Sequence, residues 1–170
     1  MILEGERVRL RTATLDDLPV YTRWFTDPEF RHYLGWGNAA LAALTAPRPD
    51  QANFSAETND GRLIGLVQLA QIRTVNRNCD ILELGIGEKD CWDRGYGTEM
   101  VTLALRHCFR ELRMHQVHIR TAEFNERARR CYGRIFPHEA RHRQWVWEEG
   151  RFWDEIFDIT EEEFDARERG

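Results

Sequence analysis

Trp92-Asp93-Arg94-Gly95-Tyr96-Gly97-Thr98-Glu99 stands between an alternating apolar run, Ile81 to Gly87, and a long helical pattern, Met100 to Leu112. A strand that ends in a glycine turn and opens a helix leaves backbone N–H groups without intrahelical partners. They project at the positive end of the helix dipole, and such an end binds phosphate. Gly95 and Gly97 let the main chain approach an anion where a Cβ would collide. Arg94 adds a fixed positive charge beside them.

On the strand before this turn, side chains alternate between faces. Leu82, Leu84 and Ile86 are expected on one face, packing on helices, with Glu83, Gly85 and Gly87 on the other. That second face carries one carboxylate and two missing side chains. Glycines in a strand mark a close approach of ligand or backbone, or else a bulge. The turn that follows favours the ligand.

Downstream of the helix, Gln116 to Ala122 reads as a strand. Asn125 then caps a helix to about Ile135, with Ala128, Cys131 and Ile135 toward the core and Tyr132 beside them. Arg143 to Glu148 and Arg151 to Ile159 form a hairpin around Glu149-Gly150. Thr160-Glu161-Glu162-Glu163 is a capping box for a terminal helix. Upstream, Arg7 to Leu10 is a short strand and Thr14 to Phe25 a helix with Pro19 in its first turn. A second short helix runs from Asp27-Pro28 to about Leu34. Gly35 to Asp50 is irregular and reads as a flap. Phe54 to Thr58 and Leu63 to Arg73 make a hairpin around Asn59-Asp60-Gly61.

The 170 residues suit one domain, residues 1–170, of α/β (α+β) class. A net charge of −5 argues against non-specific nucleic-acid binding and mildly favours cationic substrates such as amines. No apolar run is long enough to span a bilayer, and the N-terminus lacks the pattern of a signal peptide. Cys79, Cys91, Cys108 and Cys131 form no Cys-x-x-Cys pair, which suits a reduced, cytoplasmic protein.

These residues together resemble the GNAT superfamily of acetyl-CoA-dependent N-acetyltransferases, and within it the ribosomal-protein alanine and serine N-acetyltransferase branch. The resemblance runs through Val8-Arg9-Leu10-Arg11, Asp17-Leu18 to Trp24, Leu63-Ile64-Gly65 and Glu83-Leu84-Gly85-Ile86-Gly87. It continues through Arg94 to Glu99, Asn125-Glu126-Arg127-Ala128, Tyr132, Gly150-Arg151 and Asp154. It implies a mixed, mostly antiparallel twisted sheet of about seven strands, with helices on both faces and a central splayed parallel pair. The pair would be Ile81–Glu88 and Gln116–Ala122.

The resemblance also implies roles. The acetyl-CoA pyrophosphate would lie on the N–H groups of Arg94, Gly95, Tyr96, Gly97 and Thr98. The pantetheine arm would run beside Leu84, Gly85, Ile86 and Gly87 and bond to Asn125. Tyr132 would protonate the departing thiolate, and Glu83 would take the proton of the attacking amine, directly or through water. A backbone N–H of Leu84 to Ile86 would hold the oxyanion. Three positions depart from the family pattern. Trp92 stands where Gln or Arg is common, Tyr132 to Phe136 lacks a glycine before Phe136, and Gly35 to Asp50 is short.

Other motifs weigh against metal or dinucleotide chemistry. His138-Glu139-Ala140-Arg141-His142 matches H-E-x-x-H. Flanked by Pro137 and Trp145-Val146-Trp147 it reads as a strand, which would part the histidines by roughly 13 Å, too far to share a metal. The three-glycine dinucleotide pattern is missing. His115 and His118 read as structural, and Cys131 as a small buried hydrophobe. On the Asn125 helix, Arg127, Arg129 and Arg134 read as a solvated face, whereas Arg130 is equally suited to the CoA 3′-phosphate. Trp36 and Trp153 read as core or interface. Trp145 and Trp147 share a strand face that suits a homodimer partner or the acceptor pocket. Two functions remain open from sequence: acetyl transfer from acetyl-CoA to an amine of a protein N-terminus or small molecule, and a non-catalytic acyl-CoA sensor. Glu83 and Tyr132 together favour the enzyme.

Overall fold

The computed structural model describes residues 1–34, 41–43, 46, 48–147 and 150–170. Its eight strands form one sheet in the order β1-β2-β3-β4-β5-β6-β8-β7. They are β1 Ile2–Glu4, β2 Val8–Thr12, β3 Ala52–Thr58, β4 Leu63–Arg73, β5 Asn78–Ile86, β6 Gln116–Ala122, β7 His138–Trp147 and β8 Gly150–Thr160. Every pairing is antiparallel except β5 with β6. The helices are α1 Leu18–Thr26, α2 Pro28–Leu34, α3 Tyr96–Arg106, α4 Glu126–Tyr132 and α5 Glu161–Arg169.

Local chemistry accounts for most boundaries. A single 3-10 turn, Leu15–Asp17, leads into α1, and Pro19 sits in the first turn where its missing N–H is harmless. Asn125 accepts from the Ala128 N–H at 3.2 Å and starts α4. Thr160 and Glu163 cap α5 reciprocally. Gly61, at φ 86°, supplies the left-handed residue that the β3–β4 turn needs. Helix α3 runs on into a π turn, His107–Glu111.

Two apolar clusters hold the sheet. The larger joins Val8, Ile81, Met100, Phe109, Tyr132, Phe157 and Phe164, which brings α3, α4 and α5 into one core. The smaller joins Tyr21, Trp24, Phe25 and Phe30 with Leu66, and sets α1 and α2 against β4. At its edge Arg11 holds Asp17 in a bidentate pair, with contacts of 2.8 and 2.5 Å. Burial alone would push Asp17 up, yet the bonds from Arg11 and Ser55 outweigh it and hold the carboxyl below its ordinary range.

Several sequence expectations shift. The sheet has eight strands rather than about seven, since β1 is three residues long and too short to alternate. The strand expected at Ile81–Glu88 is Asn78–Ile86. Helix α4 stops at Tyr132, three residues before the expected Ile135. The expected flap falls largely outside the described residues, as do Trp36 and the side chains of Trp145 and Trp147. The four cysteines are free. Among the described residues no helix is long and apolar enough to cross a membrane.

Candidate active site

The site is built where β5 and β6 separate. Their parallel register runs from Asn78↔Gln116 to Ile81↔Ile119 and stops there, although both strands continue. At the same point β5 bulges. Gln68 and Leu69 of β4 face Glu83 and Ile81 respectively, so Leu82 has no partner across the ladder. A bulge adds one residue and re-aims the side chains beyond it. Ile81 and Leu84 thus both meet the larger core. Leu82, expected to pack beneath helices with Leu84 and Ile86, is instead 41 % exposed.

The glycines on the opposite face serve packing. A Cβ on Gly85 would come within 2.5 Å of Leu34, and one on Gly87 within 2.0 Å of Trp24. Their missing side chains admit α1 and α2 against the sheet. The close neighbour is a helix, and the bulge sits one residue before Glu83.

After β5 the chain passes through a 3-10 turn, Lys89–Cys91, into the glycine turn. The Trp92 indole donates to the Ile86 carbonyl at 2.7 Å. Asp93 and Gly95 take φ values of 56° and 82°, turning the chain so that α3 begins at Tyr96 with no side-chain cap from Gly95. The turn is braced from outside by Arg7, a residue the sequence reading passed over. Its Nη1 donates to the Arg94 carbonyl at 2.8 Å, and its Nε to Glu99 at 3.2 Å. Glu99 also accepts from the Arg7 and Val8 backbone N–H groups at 2.8 and 3.2 Å.

Two clefts open on this frame. The first, of about 310 Å³, lies between the turn and α4. Leu84, Gly85, Ile86 and Trp92 line it from β5 and the turn. Gly95, Gly97 and Thr98 line it at the start of α3, and Asn125, Arg130 and Tyr132 at α4. A Cβ on Gly97 would meet nothing closer than Ile86 at 3.8 Å, so space stands open over this part of the helix end. Three expected residues put no side chain into the cleft. Gly87 packs on Trp24, the Tyr96 ring lies under the Arg7 guanidinium at 5.4 Å, and the Arg94 side chain is turned to solvent.

Helix α4 contributes more charge than expected. Arg127 and Arg134 line the first cleft alongside Arg130. Arg127 and Arg130, three residues apart, share a face of α4, and Arg134 lies two residues past its end. Arg127 is no solvated residue: its guanidinium stacks 3.8 Å from the Trp92 ring centroid and 4.9 Å from that of Tyr33. Arg129 points elsewhere and bonds Glu155 at 2.6 Å.

The second cleft, of about 220 Å³, occupies the gap between the splayed strands, with Glu83 in its wall. Tyr132, Leu84 and Asn125 line both clefts, so the two meet at these residues. Glu83 is 3 % exposed and Tyr132 4 %. Burial pushes the Tyr132 phenol well above its ordinary value, so it stays protonated. Gln68, across the ladder from Glu83, is 1 % exposed and donates to Asn53 at 3.0 Å. Asn125, besides capping α4, donates to the Tyr33 carbonyl at 3.5 Å.

The remaining motifs lie apart. The H-E-x-x-H stretch is in β7, and His138 pairs with Glu163 at 2.7 Å. Among the described residues no three His, Cys, Asp or Glu side chains gather as a metal site. His118 faces Asp80 at 3.5 Å, and His115 is exposed.

The frame is shared with known proteins. The acetyltransferase (GNAT) domain family matches residues 7–135. Spermidine N-acetyltransferase from Vibrio cholerae, solved with CoA and spermine, superposes with a TM-score of 0.78 at 18 % identity, over 94 % of this chain and 99 % of that one. A putative acetyltransferase from T. thermophilus gives 0.74 at 23 % identity, over 97 % and 92 %. A probable acetyltransferase gives 0.76 at 18 %, over 96 % and 98 %. No curated protein matches in sequence.

Proposed function

The chain belongs to the GNAT acetyltransferase family, for which acetyl-CoA is the co-substrate, and on that premise we propose that it moves the acetyl group to a primary amine within a ternary complex. The observation that carries this reading is the junction of two clefts at Tyr132, Leu84 and Asn125.

The first cleft fits a long anionic thioester. One side is a helix N-terminus with room above Gly97, and the opposite side carries Arg127 and Arg130 of α4 and Arg134 just beyond it. A diphosphate there meets free N–H groups and the positive end of the dipole. The separated edge of β5 from Leu84 to Ile86 leaves main-chain groups for an extended arm, as strand addition requires. In this reading one of those N–H groups holds the tetrahedral oxygen.

The second cleft receives the acceptor. A neutral amine attacks the thioester carbonyl carbon, forming a C–N bond, and the C–S bond then breaks. Glu83, on the wall of that cleft, accepts the proton lost by nitrogen, directly or through a water. Tyr132 faces the departing sulfur. A thiol has a pKa of about 8.5, below that of a phenol which burial has raised. Tyr132 therefore stabilises the leaving thiolate by donating a hydrogen bond, and the thiolate takes its proton from water, to which Glu83 returns the one it accepted.

The test is thiol release from acetyl-CoA over a panel of amines and short peptides. Amine-dependent release supports transfer. Tight acetyl-CoA binding with no release over any amine would leave only the sensor reading.

A further inference from the structure

We propose that the acceptor is a small primary amine carried on an aromatic or branched apolar group, and that Phe124 and Phe152 form the wall on which this group lies. This rests on the acetyl-transfer reading above and specifies its second substrate.

The second cleft is small. Its volume of about 220 Å³ falls below the roughly 300–1,000 Å³ usual for drug-sized ligands. Its outer wall is aromatic, and the rings come from three separate elements. Phe124, in the loop after β6, stacks on His32 of α2 with centroids 4.5 Å apart. Phe152 of β8 meets Phe124 edge-on at 5.4 Å. The ladder explains the juxtaposition: Ala122 faces Asp154, so Phe124 and Phe152 each lie two residues further along the same face. Phe124 is 37 % exposed and the bulged Leu82 41 %. Both line the cleft, so large apolar side chains stand open to solvent at its mouth, as at sites that receive an apolar ligand.

The charges of the same cleft favour one ammonium. Asp80, Glu83 and Asp154 line it against Arg120, a negative balance that draws a cation inward. Asp80 already faces His118 at 3.5 Å, and Asp154 faces Arg120 at 3.7 Å. Asp154 thus has a guanidinium beside it and Asp80 an imidazole, and Glu83 lies next to the junction with the first cleft. A ligand with ammonium groups spaced along its length would bring a second charge toward Arg120, which repels it. An amine with one charged end and an apolar body matches both parts of the wall.

The experiment compares kcat/KM for 2-phenylethylamine, 3-methylbutylamine, spermidine and an alanine-led tripeptide, read by thiol release, in the wild type, Phe124→Ala and Phe152→Leu. The expected result is at least a tenfold preference for the two apolar amines over spermidine and the tripeptide. Phe124→Ala should raise KM for 2-phenylethylamine about tenfold, with acetyl-CoA affinity, measured without acceptor, unchanged. Phe152→Leu keeps apolar bulk but loses the ring, and should discriminate against 2-phenylethylamine more than against 3-methylbutylamine. Preference for spermidine or the tripeptide, or an equal loss for all amines in both variants, would overturn the inference and leave acetyl transfer standing. Turnover of no amine, with acetyl-CoA still bound, would overturn both.

Discussion

The Trp92 indole donates to the Ile86 carbonyl at 2.7 Å, tying the last residue of β5 to the turn that opens α3. The family pattern commonly carries Gln or Arg at this position. Here the donor is spent inside the protein, and under the proposed function anion binding falls to the main chain. Trp92 also presents its ring to Arg127, so one residue braces the turn and seats a cation of the first cleft.

Trp92→Phe keeps the ring and removes the donor. A hydrogen bond of this kind contributes about 1 kcal/mol, so acetyl-CoA affinity should fall roughly fivefold with kcat little changed. Calorimetric titration measures it, and an unchanged Kd would show that the bond does not shape the turn.

Gly97→Ala separates folding from binding. Nothing lies within 3.8 Å of the added methyl, and replacing a helical glycine by alanine stabilises by about 0.4–1 kcal/mol. The melting temperature should rise while acetyl-CoA affinity drops at least tenfold. Gly95→Ala, at φ 82°, should lose both. Full affinity in Gly97→Ala would move the diphosphate away from this turn.

Tyr132→Phe should lower kcat about 10- to 100-fold, the worth of a hydrogen bond to a charged group, about 1.5–3 kcal/mol, with acetyl-CoA affinity intact. The phenol is buried and held protonated, so no fall in the wild-type rate from Tyr132 ionisation should appear below pH 10. Equal kcat in wild type and variant would remove Tyr132 from the chemistry.

Acid should weaken the fold through His107. This side chain is 3 % exposed, its Nδ1 has no hydrogen-bond partner among the described residues, and burial holds its pKa below the ordinary 6.5. The unfolded chain then binds a proton that the folded one refuses, so stability falls as pH drops through about 6.5. His138, raised by Glu163, acts in the opposite sense: its contribution is complete below that pH and is lost as pH rises through its folded pKa. His107→Phe should gain more melting temperature relative to wild type at pH 5 than at pH 8. An equal gain at both would rule out the histidine as the source.

Much of this was legible in sequence because it is local. The glycine turn, the Asn125 cap, the Thr160 box and the Gly61 hairpin each depend on residues within a few positions. What escaped depends on partners far along the chain. Arg7 reaches the Arg94 carbonyl across 87 positions, and no spacing rule signals that contact. The bulge at Leu82 shifts the register with β4 at the point where the parallel ladder to β6 ends, a relation among three strands that no local pattern carries. Gly85 and Gly87 read in sequence as room for a ligand, and only the placement of α1 and α2 shows that the Trp24 and Leu34 side chains fill the space beside them. Arg127 looked like one of several solvated arginines until α4 and the turn brought Trp92 beneath it.

The most direct measurement is an amide NMR titration of the protein with CoA and, separately, with pantetheine, which lacks the diphosphate. CoA should shift the N–H resonances of Tyr96, Gly97 and Thr98 most strongly, while pantetheine shifts those of Leu84 to Ile86 and leaves the helix end unmoved. Saturation with CoA that left residues 96–98 unperturbed would contradict the account.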